Sequence, residues 1–124
     1  MRPHNSVGGY RIWPSSPADA EDADRAVTII AMFNEAKERL RTQSELTERE
    51  RMLVDTLEPN SQLARDFRSF TLLTSRYWQN ALENQNIINQ HSDENIWEIH
   101  SLEQKITGLA NLWERFKRQL HEQA

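Results

Sequence analysis

The sequence predicts a small all-α protein: an antiparallel bundle of three long helices and one short helix, preceded by a flexible N-terminal arm. Three observations support this prediction. An unbroken apolar seam runs through the last quarter of the chain, helix-start signals stand at two earlier points, and the first residues are rich in glycine and proline. Because 124 residues leave room for one core, we predict an arm over residues 1–15 and a single bundle domain over residues 16–124.

The arm is predicted from its composition. Residues 1–15 hold two of the three glycines and two of the four prolines, so no regular element is expected there. Tyr10, Ile12 and Trp13 nevertheless cluster just before Pro14. Three interpretations stay open: the arm covers part of the bundle, it anchors another protein, or it is disordered. We prefer the first interpretation. The argument for the second is that aromatic side chains supply contact area at a low entropic cost.

Helix one is predicted to begin after Ser16, a capping residue, with Pro17 in the first helical position, and to end near Arg41. Acidic residues crowd its first turns, where the helix dipole favours them, so we do not interpret them as a metal site. Its core face is predicted to consist of Ala23, Ala26, Ile30, Phe33 and Leu40, with Val27 and Ile29 beside them.

A short second helix is predicted to begin at Thr47, because Thr-Glu-Arg-Glu has the pattern of a capping box. Pro59 limits its length. The predicted apolar residues of this helix are Met52, Leu53, Val54 and Leu57.

The third helix is predicted from about Ser61 to Gln90. Its core face is predicted to include Leu63, Phe67, Phe70, Leu73, Tyr77, Ala81 and Ile88, with Leu72, Trp78 and Leu82 beside them. Asn84 falls where this stripe would continue. It is either buried, where it would fix the helix register, or exposed at a fraying end.

The C-terminal helix, from Ile99 to Leu120, has the strongest pattern in the chain. Its apolar residues follow one another at spacings of three and four: Ile99, Leu102, Ile106, Leu109, Trp113, Phe116 and Leu120. Acidic residues stand near its start and basic residues in its last turns, as the helix dipole favours. We therefore expect the other helices to pack around this one.

Composition excludes several classes of protein. Fifteen Lys and Arg against nineteen Asp and Glu give a net charge of -4, without the basic bias of a sequence-independent nucleic-acid binder. The absence of cysteine excludes disulfides and thiolate catalysis. No apolar run reaches the ~20 residues of a membrane span, and no signal-peptide pattern occurs. We expect a cytoplasmic protein without a membrane partner, or one exported without a cleaved signal.

No motif in the sequence indicates an enzyme. The chain lacks Glu-x-x-His and His-Glu-x-x-His patterns, and it has no glycine-rich phosphate loop or nucleophile elbow. We therefore predict no catalytic residues, no cofactor and no metal.

The stretch from Leu46 to Arg51, Leu-Thr-Glu-Arg-Glu-Arg, resembles the opening of the DNA-binding domain of LuxR-type regulators, where Leu-Thr-x-Arg-Glu caps the first helix of a helix-turn-helix. Leu63-Ala64 stands where that family has an Ile-Ala pair. The resemblance implies a recognition helix around Thr71 to Leu82, with Arg76 as its basic residue. The glycine that the family has in the following turn is absent, and Pro59 occupies that region. A capping box explains the same residues, so a helix-turn-helix regulator is the alternative to our main prediction.

The main prediction rests on surface charge and on one tryptophan. No Lys or Arg occurs between Tyr77 and Gln104, whereas the acidic residues there or nearby include Glu83, Asp93, Glu94, Glu98 and Glu103. Helical phase turns Trp97 away from the seam, beside Ser101 and Gly108. Because glycine within a helix costs ~1 kcal/mol relative to alanine, Gly108 favours a close approach of another segment.

We therefore predict a non-enzymatic protein-interaction module, such as an adaptor, a chaperone-like protein, a regulator or an assembly subunit. Its partner is a protein with a basic segment, and its own oligomeric state is left open. The predicted binding residues are Glu94, Trp97, Glu98 and Ser101 on the helix and Tyr10, Ile12 and Trp13 in the arm, acting in cis or in trans.

Overall fold

The computed structural model describes residues 17–89 and 96–123, and the side chains of residues 25–86 and 96–123. The four helices are α1 (Pro17–Ser44), α2 (Glu48–Asp55), α3 (Gln62–Asn89) and α4 (Ile96–Glu122). The prediction of an all-α bundle with three long helices and one short helix is confirmed. Within the described part of the chain, no helix is both long enough and apolar enough to span a membrane.

Helix α4 is the centre of the packing. It makes the most extensive contact in the protein with α1 and also packs on α3 and α2. All seven residues of the predicted seam are buried, each with 6% exposure or less. Because a fully buried large apolar side chain contributes roughly 1.5–3 kcal/mol, this seam is a major source of stability.

Helices α1 and α4 run parallel. Near the start of both helices the Arg25 guanidinium lies over the Trp97 ring, and near their far ends Arg39 donates to the Asn111 side chain. The starts of α1 and α4 therefore lie at the same end of the bundle.

Helix α3 runs antiparallel to α4. The Trp113 indole near the end of α4 donates to the Thr74 hydroxyl at 2.8 Å, whereas Asn84, later in α3, lines a groove with Ser101, early in α4. This arrangement places the end of α3 beside the starts of α1 and α4. Helix α2 packs at the opposite end, against the last turns of α4.

Four aromatic rings fill the interface between α3 and α4. Phe67, Phe70, Trp113 and Phe116 lie with ring centroids 5.7–6.2 Å apart, mostly edge to face. Aromatic pairs in this geometry contribute about 0.5–1.5 kcal/mol beyond the area that they bury. The seam of α4 is therefore held on α3 by ring contacts as well as by burial.

The capping box at the start of α2 is confirmed. The Thr47 hydroxyl accepts from the Glu50 backbone N–H at 3.1 Å, and a Glu50 carboxylate oxygen accepts from the Thr47 backbone N–H at 2.8 Å. These two bonds satisfy two donors at the end of the helix that would otherwise lack partners.

Several predictions of apolar faces are wrong. The side chains that we expected in or beside the core, but that are mostly exposed, are Val27, Met52, Leu72 and Leu82. The reason is helical phase. Leu72, for example, precedes the buried Ala81 by nine residues, which turns it about 180° away at 100° per residue. Ala36, which we did not predict, is buried in the contact face of α1.

Candidate functional site

Trp97 is the most prominent exposed aromatic residue in the described part of α4. Its side chain is 59% exposed, as helical phase predicted. The Arg25 guanidinium carbon lies 5.9 Å from the ring centroid, within the range of a cation–π contact, and the His100 ring lies edge-on at 6.0 Å. The indole therefore contacts Arg25 and His100, while more than half of its side chain remains exposed to solvent.

A polar groove of about 240 Å³ lies between α3 and α4 next to Trp97. Its lining residues are Asn80 and Asn84 from α3 and Glu98, Ser101, Leu102 and Lys105 from α4. Around α4, Ser101 lies about 40° and Glu98 about 100° from Trp97, at 100° per residue. A ligand crossing α4 from the α1 side would therefore meet Trp97 first, then Ser101, and then Glu98 and Asn84.

Asn84 lines this groove, but its unpaired side-chain oxygen is buried. Its Nδ2 donates to the Asn80 backbone carbonyl at 2.8 Å, which orients the amide, while its Oδ1 is buried without a hydrogen-bond partner. The side chain is partly buried at the helix interface, between the two alternatives that the sequence left open. An unpaired buried acceptor costs about 1–3 kcal/mol. Because this oxygen has almost no accessible surface, a donor in the groove would not reach it.

The electrostatics of this end of the bundle differ from those expected from the sequence. The surface is not uniformly acidic, because Arg25 and Lys37 reach it from α1 and Lys105 lines the groove. Lys37 donates to the Gln85 side chain at 2.8 Å, and burial lowers the pKa of Lys37. A stretch of sequence without Lys or Arg does not reveal cations contributed by another helix.

Glu103 does not belong to the acidic face. It is 6% exposed and lies at the α1–α4 contact, where the Thr107 hydroxyl donates to its Oε2 at 3.1 Å. His100 Nδ1 lies 3.3 Å from Glu103 Oε1, but the angles do not form a hydrogen bond. Among the residues described, no three His, Cys, Asp or Glu side chains come together as a metal site would require.

The structure brings together three of the predicted binding residues. Glu98 and Ser101 line the groove, and Trp97 neighbours both of them on the same helix. The side chains of Glu94, Tyr10, Ile12 and Trp13 lie outside the described residues. Sequence analysis missed the contributions of Asn80 and Lys105. The amide-rich composition at the end of α3 was the one available signal for the former.

The helix arrangement differs from a helix-turn-helix. Helix α3 continues unbroken from Gln62 to Asn89, so no turn separates the segment from Thr71 to Leu82 from the residues before it. Leu73 and Tyr77, within that segment, pack against the core. Arg76 is exposed, but the helix that carries it is a structural part of the bundle.

Comparisons with protein families, curated proteins and solved structures find no match to this chain. The class of the protein, an all-α bundle, is therefore defined by its own helices and their packing.

Proposed function

We propose that the protein is a non-enzymatic protein-interaction module that binds its partner across the first turns of α4, at Trp97 and the adjoining α3–α4 groove. The observation that carries this proposal is the exposed indole of Trp97, which lies on the same helix as the Glu98 and Ser101 side chains that line the groove. Tryptophan is among the residues that contribute most to protein interfaces when they become buried there. An adaptor, a chaperone-like protein, a regulator or an assembly subunit would each use such a surface.

The chemistry of the surface favours a partner segment that combines an apolar side chain with a hydrogen-bond donor. The apolar group would cover the free face of Trp97. A Lys or Arg would donate to the Glu98 carboxylate at the groove. Because screening limits charge effects to ~8 Å at physiological salt, charge would mainly orient the partner while apolar contact holds it.

The test compares two exposed apolar residues. Partners captured by the parent protein are identified by mass spectrometry, and Kd for the purified partner is then measured with Trp97→Ala and with the control Leu72→Ala. Leu72 is 70% exposed on the outer side of α3, away from the groove. We expect Trp97→Ala to raise Kd about 30-fold, as loss of a ~2 kcal/mol contact residue would, and Leu72→Ala to leave Kd unchanged.

Neither substitution should shift the melting midpoint much, because neither side chain is in the core. Equal Kd values for both variants would contradict the proposal. Unfolding of Trp97→Ala would mean that this tryptophan has a structural role.

A DNA-binding regulator is the alternative. One observation favours it: the capping box at Thr47 forms as in the proteins that the stretch Leu46 to Arg51 resembles. The unbroken helix α3 argues against it. Binding of duplex DNA that weakens steeply as salt rises would favour the alternative, whereas a mainly apolar protein interface would change little with salt.

A further inference from the structure

Helix α4 carries a second line of residues, on the side away from its buried seam. They follow one another at spacings of three and four, which is the pattern of a helix-packing stripe, and all of them are exposed. We call this line the outer face of α4, and its residues are Trp97, Ser101, Gln104, Gly108, Leu112 and Arg115. Its two large apolar side chains, Trp97 and Leu112, lie towards opposite ends. The outer face thus has the pattern of a helix contact, but none of the described helices covers it.

Gly108 has no structural reason within the described chain. Glycine inside a helix costs ~1 kcal/mol relative to alanine, yet a Cβ atom at this position would meet no atom within 4 Å. Two helices approach each other more closely where the side chains at their contact are small. Gly108 and Ser101 are the small residues of the outer face. They therefore mark the place where a second helix would come closest.

The charges along this side of α4 change sign. Glu98 is exposed near the start and Arg115 near the end, and neither makes a hydrogen bond or ion pair with the described residues. They do not meet within one chain, because about 25 Å of helix separates them. A second α4 running in the opposite direction would bring each acidic start beside a basic end, whereas a parallel one would bring like charges together. The outer face is therefore complementary to an antiparallel copy of itself.

We propose that the occupant of the outer face is α4 of a second copy of the chain, antiparallel to the first and related to it by a two-fold axis near Gln104. The inference rests on the proposed function, because it names the partner of the same surface. That surface favours a segment with an apolar side chain and a Lys or Arg. Leu112 and Arg115, one turn apart on the second copy, supply both groups.

The spacing of the outer face sets the register of this dimer. When Trp97 lies opposite Leu112 of the second copy, Ser101 lies opposite Gly108 of the second copy, and the two-fold axis repeats each contact. The helices thus approach at their small residues while each indole covers a partly exposed leucine.

The same register pairs the charges. Glu98 lies about one turn from Arg115 of the second copy. Because side chains in a helix tilt towards its N-terminus, these two side chains lean towards each other across the antiparallel pair. The guanidinium can then donate to the carboxylate, once on each side of the axis.

Sedimentation of the full chain over a dilution series tests the inference by charge exchange. Glu98→Lys brings like charges together twice in the dimer, and so does Arg115→Glu. We expect each variant alone to raise the dimer Kd at least ~10-fold above that of the parent. An equimolar mixture of the two variants restores both opposite-charge pairs, so heterodimers should form with a Kd within about threefold of the parent.

The matched controls are Glu48→Lys and Arg49→Glu, which make the same changes of charge at exposed residues of α2. Neither control should change the dimer Kd, and mixing them should have no effect.

Gly108→Gln tests the close approach independently. The added side chain starts into open space in the single chain, and glutamine favours a helix more than glycine does. The melting midpoint of a dilute, monomeric sample should therefore not fall. The dimer Kd should rise about 10-fold, because the side chain would stand between the two helices.

Three results would overturn the inference. The parent could stay monomeric up to millimolar concentration, the mixture of Glu98→Lys and Arg115→Glu could dimerise no better than either variant alone, or Gly108→Gln could dimerise like the parent. Each of these results leaves an effect of Trp97→Ala on Kd for another captured protein intact. Failure of the proposed function would instead appear as equal Kd values for Trp97→Ala and Leu72→Ala with that protein, and the rescue by mixing does not depend on it. The two failures can therefore be distinguished.

Discussion

His121, near the end of α4, donates from Nε2 to Oε2 of Glu50 in α2 at 2.8 Å, which links residues 71 positions apart in the chain. Glu50 is buried, and it also accepts from the Thr47 backbone N–H as part of the capping box. One carboxylate therefore both caps the short helix and holds it against α4.

Acid should weaken this link. Burial raises the pKa of Glu50, but hydrogen bonds from Thr47 and His121 and the charge of Lys117 outweigh burial and bring the pKa below its ordinary value of 4.5. The pKa of Glu50 is lower in the folded than in the unfolded state. Ionised Glu50 therefore stabilises the fold at pH values above the ordinary pKa of 4.5. This contribution is lost as pH falls through the lowered pKa.

We therefore expect Glu50→Gln to destabilise the protein at neutral pH. The difference from the parent should shrink as pH falls below the ordinary pKa of 4.5 and through the lowered pKa of Glu50, because the carboxylate then becomes protonated. Urea denaturation over a pH series measures this difference in the free energy of unfolding. Glu48→Gln is the matched control, since Glu48 lies exposed in the first turn of the same helix. If both variants had the same dependence of stability on pH, the ionised Glu50 carboxylate would not have the stabilising role proposed for it.

The aromatic part of the α4 seam should dominate stability. Trp113 and Phe116 are 2% and 1% exposed and pack on the same two rings of α3. We expect Trp113→Ala or Phe116→Ala each to lower the free energy of unfolding by about 3–5 kcal/mol, a large part of the 5–15 kcal/mol of a typical domain. Chemical denaturation measures this loss, with Trp97→Ala as an exposed tryptophan control. An unchanged midpoint in either core variant would show that α4 is not the central helix.

The hydrogen bond from Trp113 to Thr74 offers a finer test of the same interface. Thr74→Val keeps the shape of the side chain but removes the acceptor of the indole N–H. Because a buried donor without a partner costs about 1–3 kcal/mol, we expect a loss of that size in chemical denaturation. Thr42→Val is the control, since its hydroxyl is exposed on α1. Equal losses in the two variants would show that the effect comes from removing a threonine hydroxyl in general and not from the bond to Trp113.

Gly108 offers a stabilising substitution. The sequence led us to expect a close approach of another segment there, but a Cβ atom at Gly108 would meet no atom of the described chain within 4 Å. Gly108→Ala should therefore raise the free energy of unfolding by about 0.5–1 kcal/mol through helix propensity alone. Ala110→Gly, at a fully buried position of the same helix, should lower it. A destabilised Gly108→Ala variant would indicate a neighbour at this position in solution.

Assembly should not use the seam of α4. The seven seam residues are buried within the chain, so they are not available to a second copy while the bundle is folded. We expect a peptide of residues 92–124 to give no stable helical dimer, and its circular dichroism to be independent of concentration. A concentration-dependent helical signal would show that the seam prefers a partner of its own kind.

The periodicity of the sequence predicted the positions of the helices more reliably than it predicted which apolar side chains are buried. The seam from Ile99 to Leu120 and the capping box at Thr47 were correct in detail, because both depend on neighbours within a few residues along one helix. Met52 and Leu72 were misplaced because an apolar side chain is buried only where its direction around the helix meets a neighbouring helix, and neither side chain points toward one. The candidate site was predicted only in part. Helical phase correctly predicted that Trp97 is exposed, but it could not predict that Arg25 from another helix lies over the ring.

The sequence by itself determined the all-α class, the helix boundaries to within a few residues and the central role of α4, since spacing and capping are local properties of the chain. Only the tertiary structure decided which cations border the acidic residues, that Glu103 is buried at α1, and that Asn84 lines a groove with Glu98 while its side-chain oxygen is buried and unpaired. These features arise from pairs of residues on different helices. Their distances depend on helix direction and rotation in the packed bundle, which hydrophobic burial sets for the whole chain at once.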